Sequence, residues 1–135
     1  MKEPIWILAH VVLAAHDAQI AEHGGPSGIR DQNLLQSALS HAQNLFAYNE
    51  NITLAELAAA YAERIAKNHP FIDGNKRSAY VSMALFLKLN GFDLVATKEE
   101  KVRKMVELAS NQISVKKLVN WLEKNIKPSK RAKSH

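Results

Sequence analysis

The chain has 135 residues, with 18 lysines and arginines against 13 aspartates and glutamates, a net charge of +5 and no cysteine. That length suits one domain with a real core, and 47% hydrophobic against 23% charged residues excludes a wholly disordered chain. The missing cysteines exclude a disulfide scaffold, thiolate zinc sites and cysteine nucleophiles.

Five glycines and four prolines are few turn-formers, which favours a small number of long helices. The first helix is expected from about Pro4 to His23, amphipathic and stopped by Gly24-Gly25-Pro26. Its apolar start has signal-peptide features, but Glu3, Pro4 and His10 interrupt them, and nothing approaches a membrane span. The expectation is a cytoplasmic protein. Asp31 can N-cap a second helix carrying Leu34, Leu35, Ala38, Leu39 and Ala42 at helical spacing. That pattern fails around Phe46 to Ile52, where Tyr48-Asn49-Glu50-Asn51 reads as a polar connection. Thr53-Leu54-Ala55-Glu56 is a capping box opening a third helix, which His69-Pro70 ends.

A fourth helix starts near Asn75 and ends at Asn90-Gly91, apolar on almost every side from Ala79 to Leu89, and is therefore expected at the centre of the fold. Phe92 to Ala96 reads as a short extended link. Thr97-Lys98-Glu99-Glu100 caps a fifth helix and Ser114 a sixth. The expected fold class is all-α: a single bundle of about six helices over residues 1–126, followed by a basic, disordered tail at 127–135. That tail carries Lys127, Lys130, Arg131 and Lys133, so the body is nearly neutral and the high pI says little about the folded surface.

The chemistry concentrates in His69-Pro70-Phe71-Ile72-Asp73-Gly74-Asn75-Lys76-Arg77. This is a tight polar loop feeding a helix start, where unpaired backbone N–H groups can hold an anion. Gly74 lets a phosphate approach the backbone closely. Lys76 and Arg77 oppose the helix dipole unless an anion is present. Asp73 is a hard oxygen ligand for Mg²⁺ shared with nucleotide phosphates. His69 is placed to take a proton from an incoming hydroxyl, and Phe71 has to tuck inward to pin the loop. These are the parts of phosphoryl or nucleotidyl transfer. Helix stop, N-cap and solvated cations are the plain alternatives for the same residues.

His-Pro-Phe-Ile-Asp-Gly-Asn-Lys-Arg strongly resembles the Fic/Doc signature H-x-F-x-(D/E)-(A/G)-N-x-R. His16-Asp17-Ala18, Gly24-Gly25 and Gly28-Ile29-Arg30-Asp31 resemble the N-terminal half of the death-on-curing (Doc) toxins, and the likeness spans roughly residues 5–125. AMP-transferring members typically read G-N-G-R-x-x-R; here Lys76 replaces the second glycine and Tyr80 the second arginine. The Doc branch reads alanine at the position of Gly74 and lacks Pro70.

The resemblance implies a toxin that moves the γ-phosphoryl group of ATP, with Mg²⁺, to a threonine or serine hydroxyl of a translation factor like elongation factor Tu, stopping translation. His69 and Arg77 would be catalytic. Gly74, Asn75, Lys76 and Arg77 would hold phosphates, Asp73 the metal, and Phe71 would anchor the loop. Tyr48, Asn49, Glu50, Asn51 and Ile52 fall where a flap aligning the target chain is expected. No (S/T)-x-x-x-E-(G/N) restraining helix is present, since Phe46 stands four before Glu50, so inhibition is expected from an antitoxin chain. The alternatives are an AMP transferase, and a small helical DNA-binding or catalytically silent binding module. His16 and His23 lie seven apart on the first helix, with His10 six before His16; histidines at that spacing need a further metal ligand that the sequence does not offer, which favours a structural or surface role.

Overall fold

Side-chain caps start four of the six helices found in the computed structural model, which describes residues 2–129. The order is α1 (Ala9–His23), α2 (Gln32–Tyr48), α3 (Leu54–Asn68), α4 (Asn75–Leu89), β1 (Phe92–Leu94), α5 (Lys98–Ala109), α6 (Val115–Asn125) and β2 (Ile126–Pro128). Asp31, Thr53, Thr97 and Ser114 each accept a first-turn N–H, and Thr53 with Glu56 forms the full reciprocal box. α1 and α4 have no side-chain cap, and these two helices pack on one another at the candidate site. No helix among the described residues is long and apolar enough to cross a membrane.

The most deeply buried helix is α3 rather than the expected α4. Ala58, Ala59, Ala62 and Ala66 are fully buried, and α3 touches α2, α4, α5 and α6. Its alanines let neighbouring backbones approach from several sides, so propensity and packing agree. α4 buries Ala79, Met83, Phe86 and Leu87, while Tyr80, Val81, Ala84 and Leu85 remain half-buried. The expected centre is thus shared by two adjacent helices, whose contact is the most extensive in the fold.

Both ends of the chain depart from expectation. Residues 2–8 carry no helix or strand, and α1 begins only at Ala9. The reason is a long-range competitor for the backbone: Ile5 N–H donates to Asn90 Oδ1 (2.8 Å) and Asn90 Nδ2 donates to Ile5 O (3.0 Å). Trp6 then stacks on Phe86 with ring centroids 5.9 Å apart. At the other end, Lys127 and Pro128 belong to β2, antiparallel to β1 in the register Phe92↔Pro128, Asp93↔Lys127, Leu94↔Ile126. Ser129 N–H continues the pairing to Gly91 O at 2.9 Å. Folded chain therefore runs past the expected boundary at 126, and Lys130, Arg131 and Lys133 lie outside the described residues.

Candidate active site

α3 ends at Asn68, and His69 turns the chain with a left-handed backbone, φ 52° and ψ 61°. Proline at 70 disfavours the right-handed helical region for the residue before it, and histidine is among the side chains that tolerate the left-handed one. The turn leaves helix carbonyls without intrahelical donors. Arg30 takes two of them: Nε donates to His69 O (2.6 Å) and Nη2 to Asn68 O (2.7 Å). A cation at that helix end also complements the dipole.

Arg30 belongs to the connection between α1 and α2, whose backbone runs beside the motif loop. Arg30 N–H and Asp31 N–H donate to Pro70 O (2.7 and 3.1 Å), Ile72 N–H donates to Gly28 O (3.1 Å), and Ile29 bridges Phe71 in antiparallel fashion. Phe71 is wholly buried, its ring stacked on His16 at 3.8 Å between centroids and 7° between planes. His16 is itself 1% exposed, and its Nε2 lies 2.7 Å from Asp73 O. A carbonyl only accepts, so the imidazole carries its proton on Nε2. His16 thus holds the loop through its ring and through its N–H.

The Asn75 side chain is engaged within the loop. Its Oδ1 accepts Phe71 N–H and its Nδ2 donates to Phe71 O, both at 3.0 Å. Both ends of the side-chain amide are engaged inside the loop, which leaves its backbone N–H for an anion. Gly74, at φ 75°, is the uncapped start of α4, and the first helical hydrogen bond runs from Ser78 N–H to Gly74 O (2.9 Å). The amides of Asn75, Lys76 and Arg77 precede it and have no intrahelical acceptor. Asp73 Oδ1 accepts Gly74 N–H at 2.8 Å, while Oδ2 faces Gly25, where a Cβ would overlap it.

The loop opens into a cleft of ≈ 890 Å³. His69, Asp73, Gly74, Asn75, Lys76 and Arg77 line it together with Gly24 and Gly25 from the α1–α2 connection. His69, Asp73, Lys76 and Arg77 are exposed. Lys76 and Arg77 have no ion-pair or hydrogen-bond partner among the described residues. The opposite wall, unforeseen in the sequence, is α5, with Lys98, Lys101, Val102, Met105 and Val106. Lys101 Nζ sits 5.1 Å from the centre of the Tyr80 ring. Glu100, next to it, is directed elsewhere: hydrogen bonds from Trp121 and then Thr97 hold its carboxyl below the usual range.

The expected flap is not at this cleft. Tyr48 closes α2, and residues 49–52 form a tight connection with Ile52 N–H bonded to Asn49 O (3.1 Å). This connection meets the N-terminal end of α3, whereas His69 follows its C-terminal end. Fifteen residues at about 1.5 Å rise separate the two by about 20 Å. The segment that does lie against the motif is 24–31. Its Arg30, like His16, carries no local signal of its role, because each acts on residues far along the chain.

Among the described residues no group of three or more His, Cys, Asp or Glu side chains could hold a metal. Asp73, an exposed carboxylate lining the cleft, fits a cation that takes its remaining ligands from phosphates and water.

The sequence profile of the Fic/DOC family matches residues 6–87, a span holding both the 24–31 connection and the motif loop. The protein kinase doc of Escherichia phage P1 is 34% identical over 113 residues, covering 84% of this chain and 89% of that protein. The toxin Doc of Mycolicibacterium smegmatis is 36% identical over 74 residues, covering 54% of this chain and 57% of that protein. The chain belongs to the Fic/DOC family.

Proposed function

We propose that this chain is the toxin of a cytoplasmic toxin–antitoxin pair, a Doc-like kinase that moves the γ-phosphoryl group of ATP to a threonine or serine hydroxyl of a translation factor resembling elongation factor Tu. The observation that carries the reading is the cleft itself. It gathers an exposed imidazole, one carboxylate and an uncapped helix start with two unpaired cations within nine residues of sequence. Similarity to a protein kinase over 84% of the chain supports the same reading, as does Lys76 where AMP-transferring members have glycine.

His69 accepts the proton of the target hydroxyl as its oxygen bonds to the γ-phosphorus. The bond from that phosphorus to the β–γ bridging oxygen breaks, and ADP leaves with the electron pair. The N–H groups at the start of α4, with Lys76 and Arg77, bind the phosphate oxygens on which negative charge is carried. Mg²⁺ bound through Asp73 would supply further charge neutralisation on the nucleotide phosphates. The target segment lies against the 24–31 connection, whose backbone already pairs with residues 70–72. Antitoxin supplied in trans restrains the enzyme.

The test mixes the protein, Mg²⁺ and bacterial extract with ATP labelled at the γ- or the α-phosphate, with His69→Ala as control. Label entering a protein band from the γ position only, and lost in His69→Ala, is the expected result. Label from the α position only means AMP transfer and overturns the kinase reading.

A further inference from the structure

The α5 wall has no part in the function argued above. Lys98 and Lys101 occur at i and i+3 on that helix, so they share a face, and both line the cleft opposite the motif. Neither has an ion-pair partner among the described residues. Of the nearby acids, Glu100 is bonded to Trp121 and Thr97, and among the described residues neither Glu99 nor Glu100 lines the cleft. Lys101 is held over the Tyr80 ring. Tyr80 lies about one turn beyond Lys76 and Arg77 on α4, and all three line the same cleft as Lys101.

The cleft therefore has two cationic poles on different helices, and among the described residues Asp73 is the only carboxylate lining it. Unpaired like charges facing one another across a cavity repel unless an anion lies between them. A single phosphate can occupy one pole. A linear chain of phosphates can reach both.

We infer that Lys98 and Lys101 form a second anion subsite, with Tyr80 as the platform that positions Lys101. With the start of α4 it makes the cleft selective for a linear oligophosphate over a single phosphate. The inference deepens the nucleotide-dependent reading above and rests on it for the source of the phosphates, but its test needs no catalysis.

Binding of inorganic phosphate, inorganic triphosphate and ATP would be measured by calorimetry on the full chain without Mg²⁺. Lys101→Met and Lys98→Met keep the aliphatic stems and remove the charges; thermal melting confirms that they fold. Wild type is expected to bind triphosphate at least tenfold more tightly than phosphate. Each variant should lose about five- to tenfold of triphosphate affinity with phosphate binding unchanged, and Lys101→Arg should restore it. ATP binding tighter than triphosphate, with the same lysine dependence, supports the subsite with a nucleotide as the source; equal binding supports it with the inorganic chain as the source. Equal affinity of wild type for phosphate and triphosphate, or unchanged triphosphate binding in both variants, overturns it. Labelling that fails while this selectivity holds would remove the kinase reading and leave the subsite standing.

Discussion

The two ends of α3 are built by opposite means. At the N-terminal end, Thr53 and Glu56 satisfy each other within one turn, and the connection from α2 needs no distant partner. At the C-terminal end, among the described residues, no local side chain caps the helix. His69 turns left-handed, and the carbonyls behind it are met by an arginine 38 and 39 residues earlier in the chain. The loop that follows is held by a histidine 57 residues away. A self-sufficient helix end serves stability alone. An end assembled from distant groups leaves the candidate site residues His69, Asp73, Lys76 and Arg77 exposed at the cleft.

That contrast can be broken in graded steps. Phe71→Ala removes the ring that the distant groups grip, and should cost about 3–5 kcal/mol of stability, read as a lowered denaturation midpoint, with labelling activity abolished. Arg30→Ala should cost about 1.5 kcal/mol, since Arg30 is exposed and water can replace part of what it gives. Hydrogen exchange should then quicken at residues 69–74 while the bonded amides of Thr53, Glu56 and Leu57 at the other end keep their rates. Thr53→Ala should cost about 1 kcal/mol and leave γ-phosphate labelling at the wild-type level. Loss of activity in that last variant, at a temperature where it remains folded, would mean that the two ends are coupled and that the contrast is wrong.

Much of the architecture was legible because its signals are short-ranged. Asp31, Thr53, Thr97 and Ser114 each announced a helix start, and the apolar spacing carried the helix bodies. The boundaries failed where a tertiary partner outbid local preference, as when Asn90 took the backbone of Ile5 and β1 took residues 126–128. The position of the flap failed for a related reason. A polar connection near residue 50 looks the same in sequence whether it lies over the site or about 20 Å from it.

The sequence alone determined the helical class, the capped starts and the nine-residue run that gathers an imidazole, a carboxylate and a helix start; that this start is uncapped came from the structure. Those follow from interactions between residues three or four apart, which a linear chain displays directly. Only the tertiary structure decided that α3 is the most buried helix, that Arg30, His16 and the Asn75 amide hold the loop, that 24–31 is its neighbour, and that Lys98 and Lys101 face it from α5. Each of those depends on which surfaces meet when the helices bury their apolar faces together, and that is settled by packing across the whole chain.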